Sequence, residues 1–156
     1  EDITRALQLI AAFEEHFEVI LGLNEKEAYE IARVLSLKAG EKSPEGLSAL
    51  ALEIHRHVPV STLVVHPVTY ALAVTGGAVS IIEGPFDPKP LITTGAGDHF
   101  NSGFCLGRLL GFDNELSLLT GVATSGYYVR TGQSPGIHDL AAMLDDWPEK
   151  AAANPR

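Results

Sequence analysis

The chain has 156 residues, 46 % of them hydrophobic and 20 % charged, with a formal net charge of −9. That length supports one domain with a real core, or part of a larger one. The acidic balance, with no lysine–arginine cluster, excludes a general nucleic-acid or membrane-surface binder, because both need a basic patch against phosphate.

Ile3, Leu7, Ile10 and Ala11 recur at helical spacing and predict a first helix to about His16; "FEVILGL" then reads as a short buried strand. A second helix opens at Asn24, with Ala28, Ile31, Ala32 and Leu35 as its apolar stripe. Ser43-Pro44 is a helix start, an N-cap followed by proline at the first helical position, and Leu47, Leu50, Ala51 and Ile54 continue it. "STLVVH" is a second buried strand. "YALAVT", Gly76-Gly77 and "AVSIIE" form a hairpin, since Gly-Gly supplies the positive φ angles of a two-residue turn. Three more helices follow, at about Gly97–Leu110, Asn114–Arg130 and His138–Trp147, and "PEKAAANPR" is an exposed tail.

Strands alternating with helices predict an α/β fold, a sheet flanked by helices on both faces with an antiparallel element at one side. There is no internal repeat, low-complexity region or interdomain linker. The opening "EDITRALQLI" lacks Met and enters a helical pattern at once, which predicts an upstream segment. With no signal peptide, no bilayer-length apolar run and one cysteine, Cys105, the expected compartment is the reducing cytoplasm. Cys105 itself reads as a small apolar helix residue.

The stretch "TTGAGDHF", Thr93 to Phe100, places two glycines and a carboxylate where a helix begins. Gly95 and Gly97 permit close backbone approach. The helix start leaves N–H groups without internal partners, and with the helix dipole a charge there gains about 0.3–1 kcal/mol. That is an anion site fit for a transferring phosphoryl group. Asp98 has two readings: a carboxylate bonded to the helix-start amides, or a base that takes a proton from an attacking hydroxyl. The apolar residues Phe100, Phe104, Cys105, Leu106, Leu109 and Leu110 predict a buried helix behind the motif. "LNEKEA", Leu23 to Ala28, offers Asn24 and Glu27 as a capping box.

"TTGAGDHFNSGF" resembles the C-terminal signature of the ribokinase-like carbohydrate kinases (PfkB type), usually D-T-x-G-A-G-D-x-F, and "LNEKEA" resembles their N-x-x-E element. The resemblance implies a ribokinase-like three-layer α/β/α sandwich with a mostly parallel sheet and an antiparallel hairpin. Residues 1–147 would be the C-terminal part of a single kinase domain whose first half and lid lie outside this chain, and 148–156 the tail. It implies ATP-dependent phosphoryl transfer to a hydroxyl of a sugar or related small molecule. Asp98 falls in the role of base, and the Gly95, Ala96 and Gly97 amides form the anion hole. Asn24 and Glu27 act on Mg2+ through water, and Thr94 and Gly121 lie at the nucleotide. The stretch "TGVATSGYYVRTGQSP" walls the adenine pocket.

Three departures accompany the match. The sugar-binding half is not in this chain. Ile92 stands where the signature begins with aspartate, which argues against a monovalent cation. "HPVTYA" carries His66, Val68 and Ala71 where relatives have a T-x-G-x-x-G turn. These changes keep open a second reading, a catalytically weak or silent kinase-like protein that binds nucleotide or sugar. The expected partners are small molecules, and a homodimer is compatible with the sequence. His55, His57 and His66 make no convincing metal set, Asp145 and Asp146 read as a solvated helix end, and Tyr127 and Tyr128 border the nucleotide or pack.

Overall fold

The computed structural model describes residues 2–147, so the expected tail 148–156 lies outside the described residues. In chain order the elements are α1 (Asp2–Phe13), β1 (Ile20–Leu23), α2 (Glu25–Val34), α3 (Pro44–His57), β2 (Thr62–Val65), β3 (Tyr70–Thr75), β4 (Ala78–Glu83), α4 (Ala96–Leu109), α5 (Asn114–Thr131) and α6 (Ile137–Asp145). They divide into two compact units. One gathers the chain up to Pro67 with Leu72–Ser80; the other holds Val68–Ala71 and the chain from Ile81 onward.

In the first unit, β1 runs parallel to β2, with Ile20 opposite Thr62 and Leu23 opposite Val65. β2 runs antiparallel to β3, with Leu63 opposite Val74 and Val65 opposite Leu72. The strand order is β1-β2-β3-β4. The sheet is therefore mixed, with an antiparallel pair beside the parallel one. The reason is chain length: the segment 66–69 between β2 and β3 is far too short for the crossover that a parallel pair demands. All of β2 is buried, Thr62 with the apolar run Leu63–Val65, whereas β4 is half-buried or exposed throughout. Gly76 and Gly77, at φ 59° and 81°, turn the chain from β3 into β4 with the paired positive angles of a type I′ hairpin.

Local chemistry starts α2 and α3. Asn24 accepts from the Glu27 amide at 2.9 Å while Glu27 Oε2 accepts from the Asn24 amide at 2.8 Å, a complete capping box on α2. Ser43 Oγ accepts from the Gly46 amide at 3.1 Å, and Pro44 occupies the first position of α3. Ala28, Ile31, Leu47, Leu50 and Ile54 then turn inward. α1 stops at Phe13, three residues short of the expected end, and Glu14 takes another task. Its carboxylate accepts from the Val19 amide at 3.1 Å, from the Ser61 amide at 2.8 Å and from the Ser61 hydroxyl. These bonds, the Ser61 hydroxyl foremost, hold the carboxyl below its usual range against an opposing effect of burial.

In the second unit, α4 lies along α5. Phe100, Gly103, Phe104 and Gly107 form the buried face of α4, the i, i+3, i+4, i+7 set of one helical stripe. A side chain at Gly103 would meet Thr120 O at 2.6 Å, and one at Gly107 would meet Ser117 Cα at 2.8 Å, so the helix axes approach as only glycine permits. The expectation of an all-round buried α4 is corrected here. Cys105, Leu106, Leu109 and Leu110 fall on the opposite face and are exposed, Leu109 to 86 %.

Candidate functional site

The site is built at the start of α4. Gly95 is its N-cap, at φ 87° and ψ −2°, the angles of the third residue of a type II turn. The Ala96 amide donates to Thr93 O at 3.1 Å and closes that turn. Only glycine adopts this left-handed geometry without cost, and a Cβ there would also lie 3.2 Å from Tyr128 Oη. Glycine brings no capping side chain. With Ala96 turned to Thr93, the amides of Gly97 and Asp98 are first-turn donors with no intrahelical acceptor.

Asp98 sits in that first turn and is exposed. It lines an open cavity of about 250 Å³ whose wall includes His99, Ser102, Thr124 and Ser134. Thr94 is exposed too, whereas Ile92, at the position of the signature's aspartate, is half-buried.

The approach to the motif is fastened to the C-terminal half of α5. Arg130 donates to Pro85 O at 2.8 Å and Phe86 O at 3.1 Å, and lies 3.8 Å from the Asp87 carboxylate. The Leu91 amide donates to Val129 O at 2.8 Å, and Tyr128 Oη donates to Thr94 O at 3.0 Å. The Tyr128 ring stacks on His99, centroids 3.6 Å apart and 11° from parallel. His99 Nδ1 lies 2.8 Å from Gly95 O, and Nε2 lies 2.9 Å from Ser134 Oγ. Periodicity alone carried no sign of His99 or Ser134. Of the two tyrosines weighed from sequence, Tyr128 packs against the motif; burial and the nearby Asp139 carboxylate push Tyr127 up from its ordinary value.

Gly121 is buried inside α5, where a Cβ would lie 2.8 Å from the Phe100 ring, so packing accounts for this glycine. Asn24 and Glu27 belong to the first unit, where their capping box engages Asn24 Oδ1 and Glu27 Oε2. In the "HPVTYA" stretch, the His66 amide donates to Leu23 O at 2.9 Å, Val68 is 83 % exposed and Ala71 is buried. His55 Nε2 and His57 Nδ1 are each bonded to a backbone carbonyl, Val60 O and Glu53 O. No described helix is long and apolar enough to cross a membrane.

The sequence profile of the prokaryotic ketohexokinases matches residues 1–147. A ketohexokinase of Haloferax volcanii is 27 % identical over 145 residues, which are 93 % of this chain and 37 % of that protein. Among solved structures, Escherichia coli phosphofructokinase-2 in complex with substrates and products superposes with a TM-score of 0.70 at 21 % identity, over 91 % of this chain and 44 % of that one. Thermotoga maritima ribokinase gives 0.65 at 21 % identity, over 81 % and 42 %. Methanocaldococcus jannaschii nucleoside kinase gives 0.67 at 20 % identity, over 94 % and 46 %. The fold is thus that of the ribokinase-like kinases, and the chain spans less than half the length of these relatives. Residues 1–147 belong to the prokaryotic ketohexokinase family.

Proposed function

We propose that the full-length protein transfers the γ-phosphoryl group of ATP to a hydroxyl of a sugar, with a ketohexose as the first acceptor to try. The acceptor class rests on the family match and on the name of the Haloferax volcanii relative. The observation that carries the reaction type is the start of α4, where a left-handed glycine turn and an exposed carboxylate share one helix end. Unpaired amides and the helix dipole there favour the charge that a transferring phosphoryl group spreads over its oxygens.

In this reading the Asp98 carboxylate accepts the proton of the acceptor hydroxyl as that oxygen attacks phosphorus. The Gly95 and Gly97 amides hold the transferring group. The Ala96 amide, now bonded to Thr93 O, either exchanges that partner or leaves its place to Asp98 N–H. Thr94 and the α5 segment around Gly121 border the nucleotide. Asn24 and Glu27 fit an indirect role at magnesium: Glu27 is exposed and offers hard oxygen donors of the kind that Mg2+ meets through water. When bound, Mg2+ supplies charge neutralisation of the phosphates.

The test is ADP release by the full-length protein with Mg-ATP and a panel of ketohexoses, aldoses and nucleosides. Sugar-dependent ADP release supports the reading, and its absence across the panel refutes it. Calorimetric binding of ATP or sugar without turnover favours a kinase-like binding protein instead. Ile92 and the glycine-free "HPVTYA" stretch are the observations behind that second reading.

A further inference from the structure

Two aromatic rings grip the turn before α4. Tyr128 Oη donates to Thr94 O, and His99 Nδ1 faces Gly95 O. A carbonyl oxygen only accepts, so Nδ1 must carry the proton. In the neutral imidazole, Nε2 is then the acceptor, and the Ser134 hydroxyl supplies its donor. The stacked rings, one from α4 and one from α5, thus hold the carbonyls of two consecutive residues.

Peptide geometry turns that grip into an aim. A trans peptide unit is planar, and its C=O and N–H point in opposite directions. Holding Thr94 O against Tyr128 therefore directs the Gly95 N–H away from α5. Holding Gly95 O against His99, through Nδ1 and through the His99 backbone amide at 3.0 Å, fixes the next unit, whose N–H reaches Thr93 O. Glycine at the junction has no Cβ to resist rotation of these planes, so the restraint must come from neighbours.

We propose that His99 and Tyr128 are positioning residues that aim the Gly95 amide outward as a donor to the transferring phosphoryl group. The proposal rests on the kinase reading above. Tyr128→Phe removes one hydroxyl and keeps the stack. His99→Ala removes the ring, and His99→Asn returns a donor to the place of Nδ1.

In the full-length protein, Tyr128→Phe lowers kcat about two- to tenfold, as the loss of one such hydrogen bond implies, with KM for the sugar unchanged. His99→Ala loses more, and His99→Asn recovers most of it. An unchanged kcat in Tyr128→Phe, or a loss confined to KM, overturns the proposal. So does equal activity of His99→Ala and His99→Asn. Nitrogen-15 NMR of the His99 ring reads the brace without turnover: Nδ1 protonated and Nε2 bare supports it, and the opposite neutral tautomer overturns it. Wild-type protein that phosphorylates nothing defeats the kinase reading, and the tautomer then decides the brace alone.

Discussion

Gly95→Ala tests the turn before α4 with the smallest possible change. Two costs are visible. At φ 87° an alanine takes on left-handed strain, about 1–2 kcal/mol for a residue with a Cβ. The new methyl also lies 3.2 Å from Tyr128 Oη, so either the methyl or the hydroxyl must give way, and the bond from Tyr128 to Thr94 O weakens. A hydrogen bond of that kind contributes about 0.5–1.5 kcal/mol. Together these destabilise the full-length protein by about 1.5–3.5 kcal/mol. Gly111→Ala is the control: Gly111 has φ 79°, yet nothing lies within 4 Å of the position of its Cβ, so backbone strain stands alone there. Urea denaturation of wild type and the two variants measures the difference, and steady-state turnover shows whether kcat falls for Gly95→Ala only. Equal destabilisation by the two substitutions, with equal kcat, would refute the reasoning that ties Gly95 to Tyr128 and to phosphoryl transfer.

Other outcomes follow from the first unit. Asn24→Ala removes the capping box of α2 and costs about 0.5–2 kcal/mol in urea denaturation. Asn24→Ser keeps a cap, so its stability stays near wild type; a raised KM for Mg-ATP in that variant supports the nucleotide role, and an unchanged KM reduces Asn24 to a cap. Glu14, whose folded pKa is depressed, contributes stability that is full above the unfolded carboxylate value of about 4.3 and fades as pH falls through the lower folded value. The excess stability of wild type over Glu14→Gln should therefore be steady at neutral pH and shrink on the acid side of that value. A difference independent of pH in urea titrations contradicts the assignment.

What could be read from sequence was the chemistry that acts over a few residues. Asn24 with Glu27, Ser43 with Pro44, and Gly76-Gly77 each set local geometry through their own atoms, and each sits where their spacing puts it. The glycine turn at Gly95 belongs to the same class. Contacts between distant segments were not legible. Tyr128 and Thr94 are 34 residues apart, and His99 and Ser134 are 35 apart, so nothing local announces either pair. The outward leucines of α4 misled for a related reason. Apolar residues at 106, 109 and 110 look like core, but Gly103 and Gly107 had already set the face that packs on α5. The sheet is mixed and carries the expected hairpin of β3 and β4, and β2 pairs antiparallel with β3 because only 66–69 separates the two.

Asp98→Asn in the full-length protein bears most directly on the central claim. The change keeps the shape and removes the base. The account predicts that kcat falls about 10²–10⁴-fold with the best sugar acceptor, while calorimetry finds Mg-ATP still bound. Equal kcat for the two proteins would contradict it.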